Sequence, residues 1–338
     1  MLLAVDGGAS KTEVVIVAED GSLLGRARGE ASNHQLVGVD GAVESIAATV
    51  KAAMSGLGGA NGAGANGARV CALGVYCLAG LDLPIDEERL STALRLAGWT
   101  TDQLLYNDTF AVFRSGARSG RGVGVVCGTG LNCVGLGPGG TTVRFPALGE
   151  LSGDFAPGGI WLGIRGLGLA LRAGDGRGAS TVLRRLVAEH FHLPSPEAVL
   201  EAVYSGSIQM GRLAELAPTV LLAADEGDGP AGRAVSYLVD EVVAMAVATV
   251  DRLEGDPRPA AASSSAGSVP PDLDVVVGGG LFHHEGFAQA VLDGIRRHSP
   301  GASLAGIAGP PVLGAALLGL DHLDAGPSAE ARLRSQLV

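Results

Sequence analysis

Three short stretches of this chain set a glycine-rich turn at the end of an apolar run, and together they suit the handling of a nucleotide: two for its phosphates, one for its base. The first is Asp6-Gly7-Gly8-Ala9-Ser10-Lys11-Thr12, directly after Leu2-Leu3-Ala4-Val5. Glycines such as Gly8 let a backbone approach a polyphosphate closely. The Ser10 and Thr12 hydroxyls and nearby N–H groups can donate to its oxygens. Lys11 would neutralise phosphate charge, and Asp6 would hold Mg²⁺ through water, because magnesium gives up its hydration shell reluctantly. The second stretch is Cys127-Gly128-Thr129-Gly130-Leu131-Asn132, suited to the far side of a triphosphate. The third runs from Val275 to Gly280, where Gly278, Gly279 and Gly280 leave room for a planar group such as a purine ring. A glycine-rich turn with no ligand has the same look, so the three gain weight from occurring together.

Three further groups could serve a hydroxylated acceptor. Asp108 follows the short apolar run Leu104-Leu105-Tyr106 and opens a helix. A carboxylate there can cap the helix, or it can accept a proton from a hydroxyl attacking a phosphoryl group. Asn33-His34-Gln35 offers donors and acceptors in a row, a set suited to a polyol and also to an exposed polar loop. Between Gly149 and Gly159, Glu150 and Asp154 could accept from sugar hydroxyls and attract a protonated amine.

The elements that must position these groups alternate between strand and helix. Val14–Ala18 and Leu23–Arg28 extend an antiparallel meander from the first strand, with a hairpin signal at Asp20-Gly21. A helix is expected over Asp40–Met54, a strand over Val70–Leu78 and a helix over Glu87–Ala97. Strands at Gly122–Val126 and Asn132–Gly137 then flank the second turn, repeating the opening pattern. Helices follow at Ile160–Arg172, Ser180–His190, Glu197–Tyr204, Ile208–Leu216 and Ala231–Leu253. A strand at Val275–Val277, a helix from Phe287 and an apolar helix at Pro311–Leu320 complete the order. The polar tail from Asp324 is expected to fray. Residues 56–67 and 255–272 are biased in composition and read as surface excursions.

The repetition implies two similar domains facing each other across a cleft: 1–115, completed by a C-terminal helix at 311–322, and 116–310. A length of 338 residues accommodates both. The formal charge of −11 argues against nucleic acid or an anionic membrane as partner. Four cysteines without CxxC spacing read as buried, reduced thiols, and neither a signal peptide nor a membrane span is read in the sequence, so a cytoplasmic protein is expected.

Taken together, these residues resemble the family of N-acetylglucosamine kinases and BadF/BadG/BcrA/BcrD-type ATPases. The resemblance runs from residue 1 to about 320 in the family's order. Asp6–Thr12 looks like its first phosphate motif and Asn33-His34 like its sugar-contacting pair. Asp108, in Asn107-Asp108-Thr109, looks like its catalytic aspartate. Gly128–Cys133 matches Gly-Thr-Gly-x-Asn-Cys, and Val277–Gly280 is similar to the adenosine motif.

The resemblance implies an α/β, duplicated ribonuclease-H-like (actin/hexokinase-like) fold with ATP and Mg²⁺ in the interdomain cleft. It places phosphate on Gly8, Ser10, Lys11, Thr12, Gly128, Thr129, Gly130 and Asn132, and adenosine on Gly278, Gly279 and Gly280. The acceptor falls to Asn33, His34, Gln35, Asp108, Thr129, Glu150 and Asp154. One segment departs from the pattern. Where these kinases carry Gly-Asp-Glu-Gly-Ser, this chain has Gly153-Asp154-Phe155-Ala156-Pro157-Gly158-Gly159. That segment looks more like actinobacterial ATP-dependent glucosamine kinases, implying an amino sugar phosphorylated at its 6-hydroxyl. N-acetylglucosamine is the alternative acceptor, and an activator ATPase or a non-catalytic sugar-binding regulator the alternative function. A homodimer is a compatible assembly.

Overall fold

The computed structural model describes residues 1–55, 71–117, 121–137, 140–255 and 273–338. The expected surface excursions 56–67 and 255–272 lie outside them, apart from Gly255. Contacts divide the chain into two compact units: Met1–Gly124 with Ala305–Val338, and Val125–Leu304.

The first unit is built on a five-stranded sheet of β1 (Leu2–Gly7), β2 (Thr12–Val17), β3 (Leu23–Gly29), β4 (Cys71–Leu78) and β5 (Thr100–Asn107), in the order β3-β2-β1-β4-β5. The apolar runs of β1 and β2 are buried throughout, as expected where helices cover both faces of a sheet. β1 pairs antiparallel with β2 and parallel with β4. The turns after β1, β4 and β5 therefore emerge at one edge. Helix α1 (His34–Ser55) lays Ala42, Ile46, Val50 and Ala53 on the sheet. It starts earlier than its apolar spacing suggests, because Gly38 (φ 75°) breaks it and leaves His34–Val37 as a separate first turn. α2 (Pro84–Ala97) and α3 (Asp108–Gly116) follow β4 and β5.

The second unit repeats this order. β6 (Gly122–Cys127), β7 (Leu131–Leu136), β8 (Thr142–Arg144), β9 (Leu273–Gly278) and β10 (Ala302–Gly306) lie as β10-β9-β6-β7-β8, the mirror listing of the first sheet. Between β8 and β9 stands a helical insertion: α4 (Gly159–Gly174), α5 (Leu183–His190), α6 (Pro196–Tyr204), α7 (Ala217–Asp225) and α8 (Gly229–Leu253). α9 (Glu285–His298) joins β9 to β10. The expected helix over Ile208–Leu216 is instead a 3-10 segment at Met210–Leu216 running into α7.

α10 (Pro311–His322) is buried on all sides from Val312 to Leu320 and packs on α3 and β1 in the first unit. An apolar helix of this kind belongs inside a core. The crossing with α3 is tight: a Cβ at Gly314 would fall 1.8 Å from the carbonyl oxygen of Ala111. The tail does not fray. It forms α11 (Gly326–Leu337), which buries Ala329, Leu333 and Leu337 at helical spacing. Among the described residues, no helix is long and apolar enough to cross a membrane.

Candidate active site

In the first unit, the turn between β1 and β2 is closed by Gly8 N donating to Lys11 O at 2.9 Å. The Gly8 carbonyl accepts from Ser32 N and Asn33 N, so the phosphate-type turn and the polyol-type loop are hydrogen-bonded to each other. Gly7 cannot carry a side chain there, since a Cβ would lie 2.4 Å from Ser32 Oγ. Gly8, Ser10 and Lys11 stand toward solvent, whereas Thr12 is buried and its hydroxyl lies within hydrogen-bonding distance of Glu30 O (2.6 Å) and Ser32 Oγ (2.7 Å). Lys11 Nζ is 3.6 Å from the buried Glu13, which also receives Arg26.

Asp6, next to last in β1, has only 7% of its surface exposed. Burial, then repulsion from Asp108, push its carboxyl up to about 7, with Lys11 pulling the other way. Asp108 is the first residue of α3, but the cap is Asn107, whose Oδ1 accepts from Thr109 N at 3.0 Å. The Asp108 carboxyl is pushed up to about 6, first by burial and then by Asp82. Two carboxylates disfavoured in their charged forms fit a site that a cation joins: Asp6 can meet a hydrated Mg²⁺ carried with a nucleotide. Among the described residues, no cluster of three metal-ligating side chains occurs.

Asn33-His34-Gln35, where α1 begins, is organised by its own contacts. Asn33 Oδ1 accepts from Gln35 N. His34 Nε2 lies 3.2 Å from Asp86 Oδ1, and its buried Nδ1 meets no hydrogen-bonding partner among the described residues. Gln35 Nε2 reaches Gly80 O and Asp82 Oδ2.

In the second unit, the other two glycine turns meet. Gly279 (φ 94°) packs so closely on Cys127 and Gly128 that a Cβ would lie 2.4 Å from the Cys127 carbonyl. Gly130 and Gly280 face open space, as a ligand cradle requires. The carbonyls of Gly128 and Thr129 accept from Gly159 N and Ile160 N, which fixes the start of the sixteen-residue α4 against the turn. That end carries the partial positive charge of the helix dipole. Thr129 stands exposed, and Asn132 Oδ1 accepts from Cys133 N. Gly278 closes β9 and is buried.

The segment Gly149–Gly159 is pinned rather than slack. Gly149–Ser152 forms a 3-10 turn, Asp154 N donates to Gly149 O, and Gly158 (φ 85°) packs on Gly130. Asp154 is buried and accepts from Ser152 Oγ, whereas Glu150 is exposed. Sequence reasoning did not single out Asp82, Asp86 or the start of α4. Asp82 and Asp86 lie in Ala79-Gly80-Leu81-Asp82-Leu83-Pro84-Ile85-Asp86, a turn-rich stretch after β4 that was the available signal.

A family model described as the BadF/BadG/BcrA/BcrD ATPase family matches residues 3–319. The chain belongs to that family. It is 26% identical over 327 residues to an N-acetyl-D-glucosamine kinase of Dictyostelium discoideum, covering 95% of this chain and 98% of the relative. The crystal structure of a candidate N-acetylglucosamine kinase from Chromobacterium violaceum superposes with a TM-score of 0.64 at 26% identity, covering 94% of this chain and 98% of the other. A ROK hexokinase from Thermus thermophilus shares the fold at a TM-score of 0.51 and 16% identity, covering 96% and 99%. The BadF-type chain thus has the α/β, duplicated, actin/hexokinase-like fold.

Proposed function

We propose that this chain is an ATP-dependent sugar kinase that transfers a phosphoryl group to the 6-hydroxyl of D-glucosamine. The observation that carries the kinase reading is Asp108, a half-buried carboxyl raised to about 6 at the start of α3, near Asp82 and the Asn33–Gln35 segment's contacts there. A base of that kind is ionised at neutral pH and still accepts a proton as the hydroxyl attacks. Gly8, Ser10 and Lys11 in the first unit, and Gly128, Thr129, Gly130 and the α4 N-terminus in the second, are the groups for the triphosphate. Gly278, Gly279 and Gly280 are those for adenosine. Asp6 would hold Mg²⁺, which supplies charge neutralisation on the phosphates when bound.

The free amine is supported by the buried Asp154 within a segment whose composition departs from Gly-Asp-Glu-Gly-Ser. The Dictyostelium relative's name supports N-acetylglucosamine instead. An activator ATPase working with an iron–sulfur cluster needs accessible thiolates, and all four cysteines are buried, with burial pushing Cys127 and Cys133 up to about 12.

ADP release measured with ATP-Mg²⁺ and glucosamine, N-acetylglucosamine, glucose, mannosamine or no sugar tests both levels. Preference for glucosamine supports the reading in full. Preference for N-acetylglucosamine keeps the kinase and rejects the free amine. Equal release with and without sugar rejects the kinase.

A further inference from the structure

Asn107 works at both ends of its amide. Oδ1 accepts from Thr109 N at 3.0 Å and so caps α3, while Nδ2 donates to Asp82 Oδ1 at 2.9 Å. The two amide atoms share one rigid plane, so holding Nδ2 dictates where Oδ1 points. Without a partner at Nδ2, the amide is free to turn away from the helix whose first residue is Asp108. Asp82 Oδ2 in turn lies 3.4 Å from Gln35 Nε2, which also donates to Gly80 O at 3.2 Å. Packing is close at this connector: Gly80 (φ 83°) sits where a Cβ would be 2.9 Å from both Asn33 Oδ1 and the Gln35 amide carbon. One carboxylate, twenty-five residues before Asn107, thus ties the polyol-type loop to the residue that precedes the candidate base.

We propose that Asp82 is a positioning residue for phosphoryl transfer: it locks the Asn107 amide so that α3 begins where Asp108 meets the acceptor hydroxyl, and it holds Gln35 to the same connector. This rests on Asp108 being the base. Asp82 acts through Asn107 and need not touch the reacting atoms. Positioning of this kind affects turnover more than nucleotide binding, because small misplacements are costly in the transition state.

The test is an exchange of the two partners in the full-length protein, with turnover measured at saturating ATP-Mg²⁺ on the preferred sugar of the panel above. Asn107→Asp keeps the capping oxygen but replaces the donor with a second carboxylate facing Asp82. It should lower kcat by about thirtyfold or more, with the KM for ATP changed less than about threefold. Adding Asp82→Asn restores a donor–acceptor pair in the reverse sense and should recover at least about tenfold. Asp82→Asn alone keeps an acceptor for Asn107 and should lose less than Asp82→Ala. A double variant no faster than Asn107→Asp overturns the proposal, as does Asp82→Asn equal to Asp82→Ala. Asp108→Asn, run alongside, separates the failures. If it stays active, the base assignment falls and this inference with it. If it is inactive and the exchange gives no recovery, only the positioning role falls.

Discussion

Asp6 and Asp108 sit close enough at the ends of neighbouring elements of the first unit for the charge of Asp108 to help push the Asp6 carboxyl up to about 7. Both groups therefore hold protons in the folded chain at a pH where the unfolded chain has released them. Their contribution to stability is fully present below about 4 and is lost as pH rises through 6 to 7. Asp6→Asn should raise the melting temperature at pH 8 by a few degrees, on the order of 1–3 kcal/mol, and leave it nearly unchanged at pH 4. Calorimetry across pH checks this, and a stabilisation of equal size at both pH values would contradict it.

With Asp108 as the proposed base, the pH dependence of turnover follows from its carboxyl. Asp108 accepts a proton only when ionised, so kcat/KM for the sugar should fall about tenfold per unit below pH 6, the value to which its carboxyl is raised. Asp108→Asn should cut kcat by about a hundredfold or more while the melting curve stays cooperative. A variant that keeps a tenth of wild-type turnover would remove Asp108 from the base role.

The glycine-rich turns were legible in sequence because their chemistry is local. Asp6–Thr12 and Cys127–Asn132 each link two short apolar strands, and that repeat implied two similar domains; the strand order that both sheets share was not legible in it. What stayed hidden depends on distant partners. Thr12 reads as a phosphate-facing hydroxyl, but Ser32 and Glu30, some twenty residues on, lie against it. Asp82 has no motif of its own and gains meaning through Asn107. β10, Ala302–Gly306, lacks the β-branched residues that mark strands and is formed by pairing in the sheet. α11 reads as a polar tail because its apolar side consists of a few residues, Ala329, Leu333 and Leu337, at a spacing of four.

Gly158 separates a conformational need from ordinary helix propensity. Its φ of 85° and its contact with Gly130, where a Cβ would lie 2.4 Å from the carbonyl, leave no place for alanine. Gly158→Ala should destabilise the second unit by about 2 kcal/mol or more and weaken ATP binding through the displaced turn. Gly168→Ala, in the middle of α4 with nothing within 4 Å of the added carbon, should be neutral or stabilise by about 0.5–1 kcal/mol. Thermal melts and nucleotide titration of the two variants decide this; equal effects would show that the contact with Gly130 does not constrain the turn.

Arg114 is the buried charge on which the C-terminal helices close. Its guanidinium, 3% exposed, donates to both oxygens of Asp321 on α10 (2.6 and 2.9 Å) and to both oxygens of Glu330 on α11 (3.1 and 2.7 Å). The planar fork of arginine meets two carboxylates at once, which the single ammonium of lysine cannot do. Asp321 and Glu330 keep some contact with water, which softens the penalty of losing their partner. Arg114→Ala should cost about 2–4 kcal/mol in denaturant unfolding, and Arg114→Lys should recover less than half of that. Because α10 fills the core between α3 and β1, the loss should appear as earlier unfolding of the first unit. Hydrogen exchange should then report faster opening in β1 and α3 than in α8, and uniform loss of protection would contradict a role confined to that closure.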